Sequence, residues 1–278
     1  MSDNVYTGQA VGKLNHYLKV KETKKLLIFG SSKANHNIDP KILDENSFNM
    51  GLDGRSIAYV TTLIKTIENN EDQTILIQIE SEDIFSKNYD GDDISPLAIK
   101  YHRNAIIKKE LDKTNYVNPF HHIFWSIAYN YKTIGIILNY MKPKYDYNTY
   151  NGYDPLYIDE NQEMIFYKTL SLKNDETCQD SFHINKIYYN YILDLKKIAK
   201  EKNKKLFFFT SPLYNDFCKN DNKELSKFAN ENNIYFIDFT DAFVDNNSIS
   251  YWKDKTHLSN IGAELFSTKI KEQLIKYY

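Results

Sequence analysis

The stretch Lys25-Leu26-Leu27-Ile28-Phe29-Gly30-Ser31-Ser32 combines a short apolar run with an abrupt turn. An apolar run without polar alternation is typical of a strand that is buried on both faces, as in a parallel sheet. The glycine and the serines that follow allow a sharp exit from the strand and can cap a helix. The stretch therefore predicts a first strand that leads directly into a turn and a helix.

Strand and helix patterns alternate along much of the remaining chain. Apolar runs predict four further strands, and apolar residues at helical spacing predict the helices between them. Because parallel neighbours need a crossover connection, which a helix supplies, the alternation predicts a parallel sheet with helices on both faces. The further strands are predicted at 47–50, 74–79, 205–209 and 234–239, and the helices at 56–68, 181–202 (with Ser181 as cap), 223–232 and 261–275.

Residues 86–180 interrupt this alternation, and we interpret them as an insertion or cap within one domain that spans residues 1–278. The segment begins acidic, turns aromatic and then becomes rich in Tyr, Asn and Asp. Within it, residues 123–140 fit a buried helix, a lid or a surface that touches lipid. Asn130 and Lys132 favour a core or lid helix.

Composition excludes several classes of protein. The 278 residues include 35 Lys+Arg and 37 Asp+Glu, a net charge of −2, so no nucleic-acid partner is expected. Cys178 and Cys218 cannot build a disulfide framework and lack the spacing of zinc ligands, so we expect no metal and no cofactor. No stretch has the roughly 18 apolar residues of a membrane span, which predicts a soluble chain and leaves an upstream anchor open.

Polar residues follow the first and last predicted strands, at the edge of a parallel sheet where ligands bind. A serine at the start of a helix lies near N–H groups that can hold an oxyanion. Asp254 and His257 share one short loop, where the carboxylate can orient a histidine that acts as base for a serine. Alone, these residues are also explained by a helix cap and by surface charges. Their combined placement favours a serine nucleophile with its base.

Gly51 follows the second predicted strand. Without a side chain there, its backbone N–H can stay open as an oxyanion donor, although a turn glycine is the alternative explanation.

These motifs resemble the SGNH/GDSL hydrolase superfamily. Gly30-Ser31-Ser32 matches its Gly-Asp-Ser motif in the Gly-Ser-Ser-Arg/Lys-Ala variant, Gly51 matches the glycine of its second block, and Asp254, His257 and Leu258 match its terminal Asp-x-x-His-Leu motif. The resemblance covers about 25–85 and 181–275. It implies an α/β fold, a three-layer α/β/α sandwich with a five-stranded parallel sheet in flavodoxin-like order and an inserted cap.

The resemblance also implies acyl transfer at an ester. Ser32, not Ser31, would be the nucleophile, His257 the base and Asp254 its orienting acid, with the Ser32 and Gly51 amides as oxyanion donors. Relatives with this variant often modify envelope or exported polysaccharide, which implies an O-acylated, commonly O-acetylated, carbohydrate and an extracytoplasmic or membrane-anchored location. Hydrolase and O-acyltransferase both fit, and the oligomeric state stays open.

One departure concerns the family's third block, where an Asn follows the third strand and this chain has Glu80-Ser81-Glu82-Asp83. A carboxylate beside a forming oxyanion is repulsive, so Glu82 would be a poor substitute if it pointed inward. Asn151 could donate instead, two backbone donors could suffice, or the domain could be a catalytically degenerate binding or accessory module. A flavin or nucleotide binder lacks its phosphate loop here.

Several other residues remain candidates. Tyr150 and Tyr153, with Asn151, could bind a sugar, because tyrosine rings stack on sugar faces, whereas packing of a long loop explains them equally. His36 lies one helical turn after Ser32 and either lines the site or is satisfied locally. His121 and His122 are adjacent and do not face one another on a helix, so metal binding is not expected.

Overall fold

A five-stranded parallel sheet with the order β2-β1-β3-β4-β5 forms the centre of the molecule. The computed structural model describes residues 2–8, 11–114, 133–171 and 178–277. The sheet confirms the predicted fold class, and its strand order is that of the resemblance. The strands are β1 (Leu26–Phe29), β2 (Ser47–Asn49), β3 (Gln73–Gln78), β4 (Lys204–Phe209) and β5 (Phe236–Ile237).

Helices cover both faces of this sheet. Short 3₁₀ segments at Ser2–Asn4, Asp92–Lys100 and Ile249–Tyr251 complete the described elements. The α-helices are α1 (Val11–Val20), α2 (Ser32–Asn37), α3 (Pro40–Leu43), α4 (Ile57–Lys65), α5 (Ser81–Ile84), α6 (Ala105–Leu111), α7 (Thr133–Met141), α8 (Glu160–Leu170), α9 (Lys186–Glu201), α10 (Lys219–Glu231) and α11 (Asn260–Tyr277).

Alternate residues of β1 enter two separate cores. Leu27 and Phe29 belong to the core formed with α1, α4, α6, α9 and α10. Leu26 and Ile28 belong to the core formed with α2, α3, α8 and α11. Because side chains alternate along a strand, an uninterrupted apolar run feeds both cores at once, which produces the three layers.

Several element boundaries differ from the sequence prediction, among them the start of α10, at Lys219 instead of 223, and the end of α4, at Lys65 instead of 68. The helix predicted from Ser181 begins after Asn185, whose Oδ1 accepts from the Ile187 and Tyr188 amides while its Nδ2 donates to carbonyls after α5. The strand predicted at 234–239 narrows to β5, because the Phe239 amide donates to the Thr210 hydroxyl instead of continuing the ladder. The sequence also gave no prediction of α1.

The predicted insertion is described only in part. Its segment 92–111 packs Ile94, Leu97, Ile107 and Leu111 into the first core. Of the helix predicted at 123–140, residues 133–140 lie in α7, and the earlier part, like His121 and His122, lies outside the described residues. In the ranges that the structure covers, none of the helices is long and apolar enough to span a membrane.

A disulfide joins Cys178 to Cys218, at the start of α10. The sequence prediction that two cysteines build no framework of bridges missed this single bond. The two residues are 40 positions apart, and sequence spacing alone does not report which cysteines meet in space.

Candidate active site

The turn after β1 separates the roles of its two serines. Gly30 has φ +147°, a conformation that favours glycine, and a Cβ there would lie 2.7 Å from Gln78 Cβ. Ser31 is the N-cap of α2, and its Oγ accepts from the Lys33 amide. Ser32 is the first residue of the helix and is half-buried. Its amide is among the N–H groups at a helix start that have no acceptor within the helix.

The loop before α11 is shaped by Asp254. Its Oδ1 accepts from the amides of Thr256 and His257, at 2.8 and 2.9 Å, a local turn that Asp side chains favour. On either side of this turn, Trp252 and Leu258 pair by an isolated bridge and are fully buried. The buried pair anchors both ends of the loop and so holds His257 in position.

Ser32, His257 and Asp254 form one continuous chain of hydrogen bonds. Ser32 Oγ lies 2.7 Å from His257 Nε2, and His257 Nδ1 lies 2.8 Å from Asp254 Oδ2. With the imidazole proton on Nδ1 and donated to the carboxylate, Nε2 accepts from the serine hydroxyl. The structure thus brings together the three residues whose catalytic roles the sequence predicts.

The electrostatics of Asp254 suit an orienting role. Its side chain is about half exposed, and partial burial acts to raise its pKa. The hydrogen bonds and the charge of His257, together with two backbone amides, outweigh that effect and hold the pKa of Asp254 well below its usual value. The group is therefore a carboxylate at neutral pH and fixes the tautomer of His257.

Asn37, which the sequence interpretation missed, ties the histidine loop to the nucleophile helix. It is fully buried on α2, where its Nδ2 donates to the Thr256 carbonyl and its Oδ1 accepts from the Leu258 amide. Its position five residues after Ser32 carries no motif, so only the packed structure reveals it.

The predicted role of the Gly51 amide as an oxyanion donor is wrong for this conformation. That amide is buried and donates to Asn49 Oδ1 at 2.8 Å. A Cβ at Gly51 would lie 2.5 Å from the Asn35 amide nitrogen, so the glycine is required by the close approach of α2. The alternative of a structural glycine is the one that the contacts favour.

Glu80, and not Glu82, lines the pocket beside Ser32, where Asp83, Asp90 and Asp93 are further carboxylates. Glu80 lines the same pocket as Ser32, and its Oε2 accepts from Lys33 Nζ at 2.8 Å. Burial acts to raise the pKa of Glu80, but the charge and hydrogen bond of Lys33, with bonds from Ser31 and Gln78, lower it to about 2. Lys33 thereby neutralises the repulsion expected from a carboxylate at the third-block position.

The pocket beside Ser32 and His257 has a volume of about 440 Å³. Arg55 lines it, with Nε donating to the Asp53 carbonyl and Nη1 to the Asp93 carbonyl. These two bonds fix the guanidinium and leave Nη2 available to a ligand. Arg55 carried no signal in the sequence, since it lies in an ordinary loop after Gly54.

Asn151 and the two candidate tyrosines lie along β2 and α2. The Asn151 carbonyl accepts from the Asn49 amide, and its Oδ1 accepts from the Tyr153 amide, so it is engaged in the loop itself. Tyr150 is 7% exposed and stacks on Tyr145, with ring centroids 4.8 Å apart. The Tyr153 hydroxyl is buried and has no hydrogen-bond partner among the residues that the structure describes. These contacts favour the packing alternative over stacking on a sugar.

His36 is buried and satisfied locally. Its Nδ1 lies 2.6 Å from the Asp154 carbonyl oxygen and its Nε2 lies 3.2 Å from Asp53 Oδ1. Its ring meets the edge of His257, with centroids 5.8 Å apart.

Comparison with solved structures finds two chains of similar extent. One, from Bacteroides fragilis and described provisionally as an acylhydrolase, is 14% identical, with a TM-score of 0.44 over 95% of this chain and 96% of that chain. The other, from Streptococcus pneumoniae and described provisionally as a platelet activating factor, is 12% identical, with a TM-score of 0.35 over 94% of this chain and 89% of that chain. The sequence matches no family model and no curated protein. Likeness at this level assigns no activity, so the chemistry rests on the residues of the site.

Proposed function

We propose that the chain is a serine-dependent enzyme of the SGNH/GDSL type that cleaves or transfers an acyl group from an ester. The observation that carries the proposal is the hydrogen-bonded chain from Ser32 through His257 to Asp254 at the carboxyl edge of the sheet. A neutral serine is a weak nucleophile, and a histidine base that a carboxylate orients is the arrangement that activates it.

In this mechanism, Ser32 Oγ attacks the acyl carbon while His257 Nε2 takes the hydroxyl proton. His257 then returns that proton to the departing alcohol, and an acyl-Ser32 intermediate remains. Water or a second alcohol, deprotonated by His257, then attacks the acyl carbon of this intermediate. The bond to Ser32 Oγ breaks, His257 returns the proton to Ser32, and the acyl group leaves on the second nucleophile. Water as the second nucleophile makes a hydrolase, and a sugar hydroxyl makes an O-acyltransferase.

Two groups are the candidates to stabilise the oxyanion in this proposal. The Ser32 amide lies at the start of α2, and Arg55 carries a positive charge into the same pocket. We assign these two as the donors, in place of the engaged Gly51 amide and the missing Asn of the third block.

An O-acylated carbohydrate of the cell envelope or of an exported polysaccharide remains the proposed substrate, on the resemblance of the Gly-Ser-Ser-Lys-Ala motif. A location outside the cytoplasm has separate support from the Cys178–Cys218 disulfide, since such bonds persist in oxidising compartments.

A second candidate function, a degenerate binding or accessory domain, is favoured by one observation. The amide of Gly51 donates to Asn49 Oδ1, so the backbone donor expected at that position is already engaged. A binding domain of this kind would hold an ester or glycan without turning it over.

Labelling by a fluorophosphonate probe, followed by peptide mapping, separates the two candidates. We expect Ser32 to be labelled, Ser32→Ala to abolish labelling and ester turnover, and His257→Gln to slow both by at least about a hundredfold. Ser31→Ala is the matched control, because it loses a helix cap worth about 1 kcal/mol but no reacting atom. Labelling that survives in Ser32→Ala, or none in the wild-type chain, would contradict the enzyme proposal.

A further inference from the structure

His36 is a buried histidine that the proposed mechanism does not use. It lies on α2 one helical turn after Ser32 and is 7% exposed. Its Nδ1 faces the Asp154 carbonyl oxygen, and its Nε2 lies 3.2 Å from a carboxylate oxygen of Asp53 and 3.4 Å from Asn35 Nδ2. The Asn35 amide itself donates to that carboxylate at 2.9 Å, so the shorter contact of Nε2 is to an acceptor. A backbone carbonyl and an ionised carboxylate accept but never donate, and a proton on each ring nitrogen would satisfy both acceptors.

We propose that His36 is a positioning residue, held as an imidazolium cation, which disfavours a second positive charge on the neighbouring His257 and so keeps His257 neutral as a base. The inference rests on the proposed function, because it assigns His257 that role. In this proposal, the Asp53 loop and the segment around Asp154 stabilise the charge of His36.

The geometry supports a direct electrostatic effect. The two imidazole rings meet edge to face, with centroids 5.8 Å apart and an interplanar angle of 79°. At this separation, two like charges in a partly buried site repel by far more than in water. Burial acts to lower the pKa of His36, but its contacts with Asp53 and Asp154 outweigh burial and raise it. The charged form is therefore the favoured one.

The charged groups around His36 come from three parts of the fold. Asp53 lies in the loop after β2, and Asp154 lies in the segment beside it, where its carboxylate binds Lys144 at 2.5 Å. Lys13 on α1 donates to Asn35 Oδ1 and to the Gly51 carbonyl, and burial lowers its pKa to about 7.

Within the pair of His36 and Asp53, the charge of His36 has the stronger effect at His257, and it opposes the effect of the Asp254 carboxylate. The Asp53 side chain is 45% exposed and the His36 side chain 9%, so water screens the carboxylate more than the imidazolium. His257 itself contacts Ser32, Thr256 and Asp254, and of these only Asp254 is charged. His36 is thus the cation whose ring contacts the proposed base.

A proton NMR titration tests the order in which the two histidines charge. Among the 7 histidines, the Hε1 signals of His36 and His257 are assigned from His36→Gln and His257→Gln. In the wild-type chain we expect the His36 midpoint to lie at higher pH than the His257 midpoint. The reverse order would overturn the proposal, since His36 would then be neutral while His257 titrates.

Removing the charge of His36 should be felt at His257. In His36→Gln, we expect the His257 midpoint to rise by at least about half a pH unit, because its imidazolium no longer faces a cation. The matched control is His16→Gln, which removes another buried histidine bonded to a backbone carbonyl, that of Tyr6, without a contact to the three reacting residues. An unchanged or lowered His257 midpoint in His36→Gln sinks the inference.

Asp53→Asn is the second variant if His36→Gln does not fold. It keeps the shape of the side chain and removes the negative charge, so the His36 midpoint should fall. No fall would mean that Asp53 does not hold the charge on His36, and the proposal would fail.

The pH dependence of fluorophosphonate labelling at Ser32 tests whether the charge of His36 also affects the reactivity of the serine. The acid limb should move to higher pH in His36→Gln and stay in place in His16→Gln. If the wild-type chain is not labelled at any pH, the proposed function fails, whereas the NMR titration still decides whether His36 charges before His257.

Discussion

Three consecutive residues after β1 perform three different tasks. Ser31 caps α2, Ser32 supplies the proposed nucleophile and Lys33 pairs with Glu80. The pair matters because a bare carboxylate at this position would oppose a forming oxyanion. With Lys33 bound at 2.8 Å, Glu80 presents a neutral pair to the pocket. Lys33 therefore removes the repulsion that an unpaired Glu80 would exert on a negative charge in the pocket.

We predict that Arg55 stabilises the oxyanion. Arg55→Met should lower the rate of ester turnover and of Ser32 labelling by about tenfold to a hundredfold, because the pocket then loses the positive charge that we assign to the oxyanion. The readout is kcat/KM on a small aryl acetate, with the thermal midpoint measured beside it.

Arg103→Met provides the control for Arg55→Met. Arg103, like Arg55, is an arginine in a loop, but its guanidinium pairs with Asp3 away from the pocket. Equal rates for Arg55→Met and wild type would remove Arg55 from the oxyanion site.

At the scale of elements, α2 packs closely on the loop after β2, and Gly51 permits that contact. Gly51→Ala should lower the free energy of unfolding by about 1–3 kcal/mol, because its methyl group would overlap the Asn35 amide and the Ala34 side chain. Urea unfolding followed by circular dichroism measures the change.

Gly135→Ala on α7 is the matched substitution, since a Cβ there meets nothing within 4 Å. It should leave stability unchanged or raise it by up to about 1 kcal/mol. A Gly51→Ala variant as stable as Gly135→Ala would show that α2 has room to move.

The sequence predicts the elements that a buried apolar run or a helical period defines. β1, β3 and β4 lie within one residue of their predicted positions. The composition of each of these strands is enough to locate it along the chain, without knowledge of the segments that it packs against. The sequence also predicts the proposed reacting residues, since Ser32 follows the first strand and Asp254 and His257 share the loop between the last strand and the last helix. Their proximity follows from the parallel topology, which places all strand carboxyl ends on one edge.

What the sequence does not predict depends on contacts between distant segments. The amide of Gly51 is taken up by a side chain two residues earlier, a choice of rotamer that no pattern reports. Asn37 and Arg55 act through carbonyls whose positions only the folded chain fixes. The tyrosines around Tyr150 fit a sugar site by composition, and burial in the structure favours packing instead.

At the scale of the whole molecule, the site sits where the two halves of the sheet meet. β1 and β2 deliver the nucleophile helix and the Asp53 loop, while the region after β5 delivers His257. A neighbouring pocket of about 400 Å³ lies beyond β3 and β4 and shares Lys33 and Glu80 with the serine pocket. Cys218 lines that second pocket, so the disulfide borders it.

The disulfide closes a loop that contains α9 and β4, and its main effect should be on the stability of the whole domain. A cross-link across 40 positions restricts the unfolded chain, so the Cys178→Ser/Cys218→Ser variant should lose about 2–4 kcal/mol in the free energy of unfolding. Urea unfolding of this variant, beside oxidised and reduced wild-type protein, measures the loss.

Turnover at Ser32 should change little when the bridge is removed at 25 °C, because the hydrogen bonds that hold Ser32, Asn37 and His257 do not pass through either cysteine. A thiol assay on the unfolded, unreduced protein should find no free cysteine, and two thiols per chain would contradict the bridge itself. If the variant is as stable as oxidised wild type, the cross-link contributes nothing to the fold. If stability is kept but labelling of Ser32 is lost, the bridge serves the site directly through the pocket that Cys218 lines.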